Sequence, residues 1–172
     1  MAGLETKILE KAFELLNAYL AQKEVRADLY LVGGAVMCLV HRVRPATKDV
    51  DAWFTEPEAV REAARRVAED IGISSNWLND AAKAFVPANA DYDAWKSYSH
   101  LTVSAADART MLAMKCASAR AEQDKEDIRF LAGLLGLRTS KDILAAVSAY
   151  FPEERLPPRS RFLLEEMFDE SR

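Results

Sequence analysis

Cysteine and histidine are scarce in this sequence: Cys38, Cys116, His41 and His100 are the only ones in 172 residues. No Cys/His cluster has zinc-ligand spacing, which argues against a zinc-built fold. Both cysteines lie inside apolar stretches and read as reduced, packed thiols rather than a disulfide. No apolar run approaches the roughly 20 residues that span a bilayer. The opening MAGLETKILEKAFELL carries charges every few residues, unlike a signal peptide or a membrane helix. The expectation is a cytoplasmic protein with no membrane partner. Internal repeats and low-complexity segments are also missing. Positive charge is not in excess, since 23 Lys and Arg face 27 Asp and Glu for a net −4. That balance argues against a broad nucleic-acid surface. It leaves room for a local one, because His41, Arg42, Arg44 and Lys48 fall close together.

What is present is ordinary for a globular protein, with 50% hydrophobic and 29% charged residues. Residues 4–22 read as an amphipathic helix, with Leu4, Ile8, Leu9, Phe13, Leu16 and Leu20 on one side. Asp28 to Val32 is a short apolar run ended by Gly33-Gly34, which reads as a buried strand entering a tight turn. A short helix is expected over 35–41, a loop at 44–47 because of Pro45, and a strand over 49–54. On that strand Asp49, Asp51 and Trp53 share a face, opposite Val50, Ala52 and Phe54. A helix follows over 57–70, a short helix or loop over 77–85, and a strand over 95–103. Helices are then expected at about 105–121, 123–135, 140–150 and 159–169. The fold class is α+β: a small mixed sheet over 1–104, then a helical C-terminal half over 105–172 packed on it.

The informative stretch is LVGGAVMCLVHRVRPATKDVDAWF, residues 31–54. A glycine pair after a strand lets the backbone approach a ligand closely, and its amides, with the next helix N-terminus, can hold a phosphate. Asp-x-Asp on a strand puts two carboxylates on one face, roughly 6.5–7 Å apart at Cα. Such a pair can hold one or two divalent ions, and Mg²⁺ suits carboxylate plus phosphate ligands. Each part alone has a bland reading, as a turn, a solvated strand face or a solvated basic loop. The compact conjunction points to a site.

In the helical half, a helical wheel turns Lys115 into an apolar stripe, and Asp124 and Asp127 fall among Ile128, Leu131, Leu134 and Leu135. Charges aimed inward need partners or a function. One reading is an internal ion-pair network joining two helices. The other has Lys115 and Arg120 contacting nucleotide phosphates, oriented by Asp124 and Asp127. Asp80, Asp91 and Asp93 are positional candidates for a third metal carboxylate. Trp53, Trp77 and Trp95 read as packed aromatics, with base stacking as the alternative. The acidic tail from Glu165 and Glu166 to Glu170 reads as a solvated helix face.

The stretch Gly33-Gly34 followed by Arg44-Pro45-Ala46-Thr47-Lys48-Asp49-Val50-Asp51 resembles the nucleotidyltransferase superfamily, which shares the fold of DNA polymerase β. It is most similar to the bacterial abortive-infection AbiEii and MenT-type toxin branch and its uncharacterised relatives. Trp77-Leu78-Asn79-Asp80, Leu112-Ala113-Met114-Lys115 and Asp124-Lys125-Glu126-Asp127-Ile128 extend the likeness over about residues 28–135. The resemblance implies Mg²⁺- or Mn²⁺-dependent transfer of a nucleoside monophosphate from a nucleoside triphosphate to RNA (a tRNA 3′ end among the options) or to protein. It also implies a toxin partnered by a cognate antitoxin, or a phage-defence role. By position it assigns metal and catalysis to Asp49 and Asp51, with Lys115 as a further catalytic group. Nucleotide binding falls to Gly33, Gly34, Arg44, Thr47, Lys48, Lys115, Arg120, Asp124 and Asp127. Many active members carry Gly-Ser, whose hydroxyl contacts phosphate; here Gly34 stands in the serine's place. The alternative expectation is a catalytically inactive nucleotide- or partner-binding module with the same fold, or a plain structural protein.

Overall fold

The computed structural model describes residues 3–118 and 120–169, and for 121–123 the backbone only. Ala119, placed inside an expected helix, and Glu170 of the acidic tail lie outside the described residues. The fold is α+β. The chain divides into two compact units, Met1–Ala84 with Tyr92–Ala106, and Phe85–Asp91 with Asp107–Arg172.

The first unit holds a five-stranded mixed sheet. Strand β1 (Leu4–Glu5) leads into helix α1 (Thr6–Gln22), and β2 (Ala27–Val32) into the short helix α2 (Gly34–Leu39). Then come β3 (Ala46–Thr47), β4 (Val50–Phe54), helix α3 (Pro57–Ile71), β5 (Leu78–Asn79), β6 (Tyr92–Ser97) and β7 (Leu101–Ala106). The sheet order is β5-β4-β2-β7-β6, and β1 pairs with β3 in a separate two-stranded ribbon. Strand β2 runs antiparallel to β4 and parallel to β7.

Alternation along the strands decides the two faces. Leu29, Leu31, Val50, Ala52, Leu101 and Val103 are buried, and α1 packs against α3. Helix α1 contributes Leu9, Phe13, Leu16 and Leu20, none of them exposed. Each such side chain stabilises the fold by about 1.5–3 kcal/mol of apolar burial. Phe13 meets Trp77 and Trp95 at centroid distances of 6.0 and 5.8 Å. The other face carries Asp28, Tyr30, Asp51, Trp53, Thr102 and Ser104, all half-buried.

In the second unit, α4 (Ala108–Ser118) is followed by α5 (Ala121–Leu134), α6 (Ser140–Ser148) and α7 (Pro158–Phe168). Asp107 starts α4: its carboxylate accepts from the Thr110 N–H at 2.8 Å, satisfying an amide with no partner inside the helix. Thr139 does the same for α6, accepting from Asp142 N–H at 3.1 Å. Met111, Leu112, Ile128, Leu131, Ile143, Val147 and Leu164 form this unit's apolar interior.

Several expectations need correction. The single strand over 95–103 is a hairpin: β6 and β7 pair antiparallel, closed by Tyr98 N–H to Leu101 C=O at 2.8 Å. Alternation from Ala94 puts Trp95 on the side of α1, against Phe13, and the register irregularity between Ala94 and Lys96 then sets Ser97 opposite Thr102 on the other face. Trp95, Ser97, Ser99, Leu101 and Val103 therefore do not share one continuous face. The helix expected from residue 105 begins at Ala108, because Ala105 and Ala106 finish β7. The loop at 44–47 contains β3, and the segment 77–85 contains β5 followed by a 3₁₀ turn over Ala81–Phe85. Both cysteines are free and buried, as expected. Among the described residues no helix is long and apolar enough to cross a membrane.

Candidate functional site

Strand β2 ends at Val32, and Gly33 follows with φ 68° and ψ −145°. Residues with a side chain are strongly disfavoured there, so glycine is required. A second reason is space: a β-carbon on Gly33 would lie 3.1 Å from Asp51 Oδ2. The Asp51 carboxylate thus lies against bare backbone. Asp51 is held there by pairing with Val32 on one side and with Asn79 on the other.

Gly34 opens α2 and does not have a positive φ. Its constraint is steric, since a β-carbon there would lie 2.6 Å from Thr47 Oγ1. The Thr47 backbone is anchored by β1, where Leu4 is its partner in register. Its hydroxyl donates to the Asp49 carbonyl at 3.0 Å, so its one hydrogen is used in shaping the approach to β4. Glycine pair, Thr47 and the Asp49–Asp51 segment therefore meet at one end of the sheet. Helix α2 has only six residues. The phosphate-binding capacity expected here rests on glycine amides rather than on a long helix.

The basic residues around this end differ in setting. Lys48 and Arg42 are exposed, and Arg44 is half-buried. Arg42 has φ 55°, a left-handed residue just beyond α2. Burial holds the His41 imidazole below its ordinary pKa, favouring the neutral ring.

The candidates for a third carboxylate lie in different settings. Asp80 pairs with Arg61 at 2.6 Å. Asp93 is exposed and opposes Ala105, which pairs with Leu31; that places it on the face opposite Asp51. Asp91 belongs to the second unit, where its N–H donates to Thr110 Oγ1 at 3.0 Å. Among the described residues no three His, Cys, Asp or Glu side chains converge as a metal cage. Asp51 offers a carboxylate against the Gly33 backbone at a strand end, and Asp49 stands two residues before it, just ahead of β4. That donor set fits Mg²⁺, which binds through one or two carboxylates and completes its shell with phosphate oxygens and water.

In the second unit Lys115 Nζ lies 2.7 Å from Asp124 Oδ1 and 2.9 Å from Asp127 Oδ2, tying α4 to α5. Asp124 and Asp127 are 3% and 2% exposed, so this is a buried ion triad. Asp124 also accepts from the Arg120 backbone N–H at 3.0 Å, just ahead of α5. The Arg120 side chain is exposed. Neighbouring Cys116 has its thiol pKa pushed up to about 12, first by burial and then by the charge on Asp124. The inward turn read from the helical wheel is therefore satisfied by ion pairing.

Three residues on the Asp51 face were given no role by the sequence. Asn79 pairs with Asp51, while Tyr30 and Tyr92 surround Trp53. Alternation through Asp28-Leu29-Tyr30-Leu31-Val32 contained the signal for Tyr30. Tyr92 depended on the hairpin register. Comparison of the chain with protein-family models, curated proteins and solved structures gives no match.

Proposed function

We propose that the chain is a nucleotidyltransferase, joining a nucleoside monophosphate to an acceptor hydroxyl on RNA or protein and releasing pyrophosphate. The observation that carries this reading is Gly33: a glycine-only backbone conformation set directly against the Asp51 carboxylate. Glycine there leaves backbone amides rather than a side chain beside the Asp51 carboxylate, the groups that a triphosphate and its cation would need. The resemblance over Gly33-Gly34 and Arg44 to Asp51 supports the same assignment.

In the reaction, the acceptor hydroxyl gives up its proton to water and its oxygen forms a bond to the α-phosphorus, as the bond from that phosphorus to the pyrophosphate oxygen breaks. Asp49 and Asp51 would hold Mg²⁺ or Mn²⁺, which when bound neutralises charge on the phosphates and the leaving pyrophosphate. The Gly33 and Gly34 amides approach the phosphate oxygens. Lys48 and Arg44 add positive charge at the same end of the sheet. Thr47 acts as a positioning residue through its hydrogen bond to the Asp49 carbonyl. The toxin or phage-defence role and a cognate antitoxin remain part of the proposal on resemblance alone. So do phosphate contacts by Lys115 and Arg120, oriented by Asp124 and Asp127.

One observation favours a binding module without catalysis. The hydroxyl nearest Gly34 spends its hydrogen on a backbone carbonyl, so the turn lacks the donor a serine would supply. Titration calorimetry with each of the four ribonucleoside triphosphates, with and without Mg²⁺ or Mn²⁺, tests the shared premise. Saturable binding that requires the cation is expected. No heat of binding at millimolar nucleotide under any of these conditions would overturn both readings.

A further inference from the structure

The face of the sheet that carries Asp51 also carries an aromatic cluster. Register places it there: Val32 opposes Asp51, and two pairs further along, on the same face, Tyr30 opposes Trp53. The Tyr30 and Trp53 rings stack with centroids 3.9 Å apart and planes 10° from parallel. Tyr92 reaches over from β6, edge-on to Tyr30 at 5.1 Å and to Trp53 at 6.2 Å. It can do so because β7, which lies between, presents only Thr102, Ser104 and Ala106 to this face. Trp53 Nε1 donates to the Tyr92 hydroxyl at 3.0 Å.

These contacts fix the indole at two points, through one ring face and through its N–H. A ring fixed in this way loses little freedom when a ligand stacks on it. The other tryptophans are used differently. Trp77 is fully buried, with its Nε1 donating to the Ala64 carbonyl at 2.9 Å. Trp95 packs edge-on against Phe13. Trp53 remains half-exposed. The parallel pairing of β4 with β5 covers Val50 and Asp51 and stops there, so among the described residues no strand flanks Trp53 on that side. Two residues apart on one strand face, Asp51 and Trp53 are separated by roughly 6.5–7 Å at Cα.

The geometry points to Trp53 as the stacking platform for the base of the nucleotide whose phosphates lie at Asp51 and Gly33. This inference rests on the nucleotide-binding reading above and adds the group that holds the base. Every base has a π-face, so a platform of this kind selects for a base without choosing among the four. Tyr30 and Tyr92 are positioning residues that hold the indole.

The test compares ligands with and without a base. Calorimetry in Mg²⁺ is run with each ribonucleoside triphosphate and with inorganic tripolyphosphate, on the parent, Trp53→Leu, Trp53→Phe and Tyr92→Phe. Trp53→Leu should weaken nucleoside triphosphate binding about tenfold or more and leave tripolyphosphate affinity unchanged, while Trp53→Phe retains most of the parent affinity. Tyr92→Phe keeps its ring and removes only the acceptor of the indole N–H. It should show the same difference between ligands in smaller measure, which keeps the test decisive if Trp53→Leu does not fold. Equal losses for both ligands, or no loss for either, would overturn the platform while leaving the phosphate site standing. A parent that binds tripolyphosphate as tightly as the nucleotides would do the same. A parent that binds neither ligand removes the nucleotide reading itself, and the platform with it.

Discussion

Thr47 Oγ1 stands 2.6 Å from the point where a β-carbon on Gly34 would lie. The two positions, thirteen residues apart in the chain, therefore share one small volume. Gly34→Ala should destabilise the protein by about 1–3 kcal/mol through overpacking. In a Thr47→Ala background the added methyl finds space, and the combined loss should fall short of the sum by about 0.5 kcal/mol or more. Denaturant melts of the four proteins in this cycle measure the coupling. Strict additivity would show that the hydroxyl and the glycine do not compete.

Gly33 should behave differently, because its limit is conformational as well as steric. With φ at 68°, Gly33→Ala should cost about 1–3 kcal/mol of backbone strain, and no substitution at Asp51 should fully restore it. Recovery of parental stability in a Gly33→Ala/Asp51→Ala double variant would contradict the account of this turn.

Much of this end of the molecule was legible in the sequence, since glycine after an apolar run and alternation over Asp49 to Phe54 are strong local signals. The hairpin of β6 and β7 was not. Its connection runs Tyr98-Ser99-His100, without the glycine, asparagine or proline that usually marks a turn. The irregularity between Ala94 and Lys96 further breaks the alternation that would have separated two strands. Strands β1, β3 and β5 have two residues each and leave no periodic trace. The start of α4 was readable, since Asp107 is a good N-cap, but the apolar pair before it blends strand into helix. That Asp93 faces away from Asp51 follows from register alone, which a single sequence does not display.

The buried triad gives a stability test in the second unit. Lys115→Met strands two carboxylates that are 3% and 2% exposed, and loss of one partner from such a group costs about 3–5 kcal/mol. Asp124→Asn should cost less, because Asp127 still faces Lys115 and an amide oxygen can still accept from Arg120 N–H. Denaturant melts in which Lys115→Met matches the parent would show that the triad is solvated.

Cys116 should be chemically silent in the folded protein. Its thiol is 1% exposed, and its pKa is pushed up to about 12, so the reactive thiolate is scarce at neutral pH. Alkylation followed by mass spectrometry should modify Cys116 only under denaturing conditions. Rapid labelling of Cys116 in the native state at pH 8 would contradict its placement.

Transfer of label from α-³²P-nucleoside triphosphates is the direct test of the proposed role of Asp51 in nucleotidyl transfer. With Mg²⁺, and with total bacterial RNA and cell protein as acceptors, the parent should move label from at least one of the four ribonucleotides. Asp51→Asn, close to the parent in size, should melt as a folded protein and lose transfer by about a hundredfold or more. A parent that labels neither acceptor with any of the four nucleotides, or an Asp51→Asn variant as active as the parent, would contradict the claim.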